Sequence, residues 1–165
     1  MSDHRESPGF SRGEEVNGLY TRRHLAARLD EEVARAARYG GVLSVAVLDL
    51  DDFKGINDQY GHLHGDEVLR TFGTAIRAVL RQADVAFRYG GDECVVLFPA
   101  TPASAAETVL ARLRRRLPDT PFSGGLAEHP RDATEATALL RVADGRLLET
   151  KRGGKGRVGS RGVLR

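Results

Sequence analysis

Apolar positions along this chain fall into two periods. Leu25, Leu29, Val33 and Ala37 recur at four-residue steps and predict a helix from Thr21 to the Gly40-Gly41 pair. Leu43 to Leu48 is instead an unbroken, β-branched apolar run, as expected of a strand buried on both faces. Phe53 to Asp58 reads as a short helix and Tyr60-Gly61-His62-Leu63-His64-Gly65 as a polar loop bounded by glycines. Asp66 then opens a helix whose inner face is Val68, Leu69, Phe72, Ile76, Val79 and Leu80.

Two further apolar runs, Val85-Ala86-Phe87 and Val95-Val96-Leu97-Phe98, enclose Arg88-Tyr89-Gly90-Gly91-Asp92-Glu93-Cys94. The pattern predicts strand, two-residue glycine turn, strand, with Gly90 and Gly91 tolerating positive φ and admitting a ligand close to the backbone. Pro99 and Pro102 mark a break, after which Ala103 to Leu117 reads as a helix with Val109, Leu110, Leu113 and Leu117 inward and its arginines outward. Phe122 to Ala127 is a strand despite its two glycines, and Ala133 to about Thr150 is a helix burying Leu139, Leu140, Val142, Ala143 and Leu147. A last short strand falls near Arg157-Val158. This alternation with one antiparallel hairpin predicts an α/β (α+β) fold of ferredoxin-like type, a mixed sheet around a central hairpin with helices on both faces.

Composition adds limits. The 165 residues are 41% hydrophobic and 29% charged, ordinary for one globular domain, and the net charge of +2 does not point to nucleic acid. One cysteine excludes an intramolecular disulfide or a cysteine-rich metal site, and no stretch resembles a signal peptide or an apolar span of about 18 residues. The chain is expected to be cytoplasmic, with neither membrane nor nucleic acid as partner. Residues 1–13 are too polar to pack and are expected to be disordered, 14–160 to form one domain, and 161–165 a short basic tail.

The acids carry the first chemical hint. The Leu43 run delivers Asp49-Leu50-Asp51-Asp52 at its C-terminal end, and Asp92 and Glu93 stand side by side at the hairpin tip. Adjacent carboxylates repel unless a cation lies between them, and hard oxygen donors with few competing nitrogens favour Mg²⁺ over zinc. Either cluster alone could also be a solvated strand end. Lys54, Lys151 and Lys155 are candidate phosphate contacts, the last two lying in the glycine-rich basic stretch Lys151 to Arg157, which otherwise reads as a frayed helix end. Asn57 and Asp66 are either helix caps or the amide and carboxylate that read a guanine edge. His62 and His64 read as solvated loop residues.

Asp49-Leu50-Asp51-Asp52-Phe53-Lys54-Gly55-Ile56-Asn57-Asp58, Gly61-His62-Leu63-His64-Gly65-Asp66 and Gly90-Gly91-Asp92-Glu93-Cys94 together resemble the GGDEF-domain diguanylate cyclases, in order and spacing, over about Glu14 to Val158. The resemblance implies a palm-like sheet and an enzyme that condenses two GTP into cyclic di-GMP with release of two pyrophosphates, one GTP on each protomer of a homodimer. By position it implies that Asp49, the Leu50 carbonyl, Asp92 and Glu93 hold Mg²⁺ (or Mn²⁺), with Glu93 as ligand or as acceptor of the 3′-hydroxyl proton. It further implies that Phe53, Lys54, Asn57, Asp66, Lys151 and Lys155 bind GTP, and that Arg88 positions the Gly90-Gly91 turn. Arg81 and Asp84, with Arg112 on the following helix, resemble the family's product-inhibition site for cyclic di-GMP, although Arg-x-x-Asp is also a common surface ion pair.

Two stretches depart from the family pattern. Cys94 stands where the signature ends in phenylalanine, a loss of apolar volume rather than of a ligand. Glu14 to Arg23 is a worn form of the family's opening motif. Three readings follow: a diguanylate cyclase; a catalytically weak or silent receptor for cyclic di-GMP that acts through Arg81 and Asp84 on a signalling partner; and another palm-type nucleotide cyclase or polymerase, disfavoured by Asn57 with Asp66. Either the chain is a fragment, or its control lies in product binding or partners.

Overall fold

Strand β1 (Leu43–Leu50) forms the centre of the molecule because both its faces are apolar. The computed structural model describes residues 19–160, so the expectations for 1–13, for Glu14 to Gly18 and for 161–165 lie outside the described residues. A short 3₁₀ turn, Arg22–His24, leads into α1 (Leu25–Tyr39), which is followed by β1, α2 (Phe53–Tyr60), α3 (His62–Val79), β2 (Val85–Arg88), β3 (Glu93–Pro99), α4 (Ala103–Arg116), β4 (Phe122–His129), α5 (Ala136–Gly153) and β5 (Val158–Gly159). The sheet order is β2-β3-β1-β4-β5, with β1 antiparallel to both β3 and β4 and β5 parallel to β4. It is a mixed sheet, and its hairpin β2-β3 contributes one edge strand and the neighbour of β1.

Alternate residues of the strands feed two cores. Ala46, Leu48, Val96, Phe98, Phe122 and Leu126 pack against α3 and α4, while Val45, Val47, Val95, Leu97 and Ala127 pack against α1 and α5. Helices therefore cover both faces. Gly125 lets α5 lie directly on β4, since a Cβ there would overlap the Ala143 carbonyl. Leu19 and Tyr20 lie along β2, where Tyr20 N donates to Ala86 O at 3.1 Å. Among the described residues no helix is long and apolar enough to cross a membrane.

Several local expectations need correction. In α1 the 3.6-residue period turns Ala36 inward and leaves Ala37 exposed, so the four-residue step drifts off the core within four turns. The supposed loop before Asp66 is helical: only Gly61, at φ 87°, interrupts the chain, and α3 already starts at His62. Asp66 is thus inside α3 and Asn57 inside α2, and neither caps a helix. Helix α5 begins at Ala136 and runs through Lys151, which rides on its last turn. Arg114 departs from the outward arginines of α4, its guanidinium lying 5.2 Å from the Phe122 ring centre.

Candidate active site

The C-terminal end of β1 and the tip of the β2-β3 hairpin meet because Asp49 pairs with Glu93 across the two strands. The tip spans Tyr89 to Asp92, longer than a two-residue turn, and the Glu93 carbonyl accepts from Tyr89 N at 2.9 Å and Gly90 N at 3.3 Å. Gly90 and Gly91 do not adopt positive φ, contrary to expectation. What they provide is space: a Cβ on Gly91 would meet nothing within 4 Å, and one on Gly90 would meet only the Glu93 side chain at 3.6 Å. Arg88 Nε donates to Gly90 O at 3.2 Å, and Leu50 N donates to Asp92 O at 3.2 Å, which fastens the tip to β1.

Asp49 is the electrostatic centre. Its side chain ion-pairs with Lys151 Nζ at 2.7 Å and feels the neighbouring Asp92 carboxylate, yet its Oδ1 is buried without a partner. Burial first, and Asp92 next, push its carboxyl up to about 6 against the opposing pull of Lys151. Glu93 is also raised, by burial and then by the charge of Asp49. Lys151 reaches across from α5 to lie 3.5 Å from Leu50 O and 3.8 Å from Asp51 Oδ1. One ammonium therefore stands among the oxygens of three consecutive residues of the β1 end.

These donors suit a hard divalent ion. The carboxylates of Asp49 and Asp51 and the Leu50 carbonyl around an internal cation, with Asp49 Oδ1 left orphaned, are the oxygen-rich surroundings that Mg²⁺ accepts. Among the described residues no three His, Cys, Asp or Glu side chains form a complete cage. That is the usual condition for Mg²⁺, which is held by one or two carboxylates with substrate phosphates completing its shell.

Other expected residues surround this end. Phe53 is half-buried against the α3-α4 core and Lys54 is exposed on the first turn of α2. Asn57 faces α3 so closely that a Cβ on Gly65 would overlap its Oδ1, which places Asn57 against the residue next to the exposed Asp66. Lys155 is exposed between Gly154 and Gly156, both at positive φ. Asp51 and Ser123 join the site without having been singled out from the sequence. Ser123 Oγ donates to Asp51 Oδ1 at 2.6 Å and accepts from Gly156 N at 3.0 Å. No local signal marks Ser123, since only the pairing of β4 with β1 sets it opposite Asp49.

Arg81 and Asp84 lie away from this cluster, before β2. Asp84 is fully buried and held by Arg81, whose Nη2 lies 3.1 Å from Asp84 Oδ1, 3.1 Å from Pro99 O and 2.7 Å from Thr101 Oγ1. The pair borders a cavity of about 340 Å³ that Arg77, Tyr20 and Gln82 also line. Arg112 is exposed on α4 and does not line that cavity.

A palm-type sheet with acids gathered at the end of its central strand and at a glycine-rich hairpin tip defines the class of the protein. Residues 14–157 match the family described as "Diguanylate cyclase, GGDEF domain", and the chain belongs to that family. It is similar to Diguanylate cyclase DgcP of Pseudomonas aeruginosa, 43% identical over 155 residues that cover 87% of this chain and 23% of that protein. It is also similar to Cyclic di-GMP phosphodiesterase PdeR of Escherichia coli, 37% identical over 86% of this chain and 22% of that protein. Among solved structures, the GGDEF domain of DgcB from Caulobacter crescentus in complex with c-di-GMP superposes with a TM-score of 0.84 at 31% identity, covering 92% of this chain and 94% of that one. The chain spans about a quarter of the length of DgcP and PdeR.

Proposed function

We propose that this domain is a diguanylate cyclase, joining two GTP molecules into cyclic di-GMP with release of two pyrophosphates, each protomer of a homodimer contributing one GTP. The observation that carries the reading is the meeting of the β1 end with the hairpin tip, where Asp49 pairs with Lys151 and stands opposite Glu93, with Asp49 Oδ1 buried and unpartnered. Asp49, Asp92, Glu93 and the Leu50 carbonyl would hold Mg²⁺ or Mn²⁺, which when bound supplies Lewis-acid stabilisation of charge on the α-phosphate.

Asn57 and Asp66 face the guanine edge, where an amide and a carboxylate match its acceptors and donors. Phe53, half-buried against the α3-α4 core beside Gly65, lies next to Asn57 and contributes to the GTP site. Lys54, Lys151 and Lys155 take the phosphate oxygens, and Arg88 holds the tip through the Gly90 carbonyl. Glu93, opposite Asp49 at the hairpin tip, accepts the proton of the 3′-hydroxyl. In-line attack needs little covalent chemistry from the chain beyond positioning and charge neutralisation.

Incubation with GTP and Mg²⁺, followed by chromatographic detection of cyclic di-GMP, tests the reading with Glu93→Gln as control. Product from the parent and none from the control is the expected result. A second reading has support from the half-exposed Arg81 beside its cavity: a receptor that binds cyclic di-GMP and signals to a partner protein. No product at any protein concentration, with cyclic di-GMP binding lost in Arg81→Ala, would replace the first reading by the second.

A further inference from the structure

We infer that Asp51 and Ser123 are positioning residues that hold the Lys151–Lys155 segment against the acidic end of the sheet, so that the two lysines meet a triphosphate in register. This rests on the cyclase reading for what the lysines bind. The geometry itself does not. After α5 ends at Gly153, the chain must turn back within four residues to reach β5 at Val158. Gly154 and Gly156, at φ 120° and 82°, permit the turn, but glycines alone leave such a segment floppy. Two ties fix it to β4: Arg157 O accepts from Gly124 N at 2.9 Å, and Gly156 N donates to Ser123 Oγ at 3.0 Å.

The second tie continues inward. Ser123, fully buried, donates its own hydroxyl hydrogen bond to Asp51 Oδ1 at 2.6 Å, and Asp51 is anchored in turn by its N–H to Pro121 O at 3.0 Å. Asp51 Oδ1 also lies 3.8 Å from Lys151 Nζ, while Oδ2 is buried with no partner, on the side where a Cβ at Gly156 would come within 4.0 Å. Asp51 thus touches both ends of the lysine segment, Lys151 through charge and Lys155 through Ser123 and the neighbouring Gly156. A carboxylate buried with one oxygen orphaned is a poor device for stability alone, since an apolar residue of similar volume serves better. It is a good one for fixing where two cations stand.

Ser123→Ala and Asp51→Asn test this, with amide exchange at Gly156 measured in ligand-free protein and steady-state kinetics measured in parallel. Ser123→Ala should speed Gly156 exchange roughly tenfold and raise the KM for GTP about tenfold, with kcat within about threefold, because one hydrogen bond of this kind is worth about that factor. Asp51→Asn keeps the acceptor for Ser123 but loses the charge, so KM should rise while Gly156 exchange stays near the parent value. Unchanged KM in both variants, or unchanged Gly156 exchange in Ser123→Ala, overturns the inference. Should Ser123→Ala fail to fold, Asp51→Asn alone decides through KM. If the parent makes no product, the cyclase reading fails, and the inference is then judged by the Kd for GTP: about tenfold weaker binding in the variants sustains it, equal binding ends it.

Discussion

Gly65 offers a substitution that should change function while leaving stability nearly unchanged. It sits in the first turn of α3, where glycine is less favourable than alanine by up to about 1 kcal/mol. The reason for a glycine there is Asn57, whose Oδ1 occupies the place a Cβ would take, with Phe53 Cζ at an ordinary 3.4 Å. Because the overlapping atom is the end of a side chain, Gly65→Ala is relieved by rotating Asn57 away at a cost of about 0.5–1.5 kcal/mol. Gain and cost nearly cancel, so the melting temperature should move by no more than a few degrees.

On the proposed cyclase reading, the displaced amide can no longer meet a guanine edge. Loss of one such hydrogen bond, with its partner left unpaired in the site, costs about 1–3 kcal/mol, or roughly 5- to 150-fold in kcat/KM for GTP. Competition between GTP and ATP in the synthesis assay, alongside thermal unfolding, reads both effects. Unchanged nucleotide preference at unchanged stability would refute Asn57 as a guanine contact. A melting temperature lowered by ten degrees or more would show instead that Gly65 serves backbone packing between α2 and α3.

Three further outcomes follow from the same geometry. Asp49 holds its proton more tightly in the folded chain, about 6 against 3.8, so metal-free stability should fall as pH rises through that window; Asp49→Asn should raise metal-free stability at pH 7.5 by on the order of 2 kcal/mol, lose that gain at pH 4 and abolish synthesis. A metal-free melting curve indifferent to Asp49→Asn at pH 7.5 would count against the burial argument. Asp66→Ser should relax guanine preference by roughly tenfold or more, measured as the ratio of kcat/KM for GTP and ATP, and an unaltered ratio removes Asp66 from base recognition. The Cys94 thiol is buried and pushed well up by that burial and by Asp49 and Glu93, so in native protein it should resist a disulfide reagent at pH 8 that labels the denatured chain in full; prompt labelling of the native form would show that the hairpin opens.

Much of this domain is written locally. The apolar run of β1, the period of α3 and α5, and the acids of residues 49–52 and 92–93 are signals within single elements, and each lies within a few residues of its expected place. The errors arose where one residue outweighed a pattern. Gly61 alone breaks the helix between α2 and α3, so a stretch rich in glycine and histidine became helix rather than loop. Gly90 and Gly91 proved to open space at the hairpin tip rather than to supply positive φ.

What local pattern cannot carry is pairing between distant strands. Only the placement of β1 between β3 and β4 sets Asp49 opposite Glu93 on one side and opposite Ser123 on the other. Only the seating of α5 over Gly125 brings Lys151 across 102 residues to Asp49, and gives Asp51 a serine, an ammonium and an unpartnered oxygen. Residue types and their chemistry were therefore legible from the chain, because strands and helices announce themselves in their own periods. Which charges share one site was decided by long-range register, whose energy lies in contacts between segments and leaves no mark in either one alone.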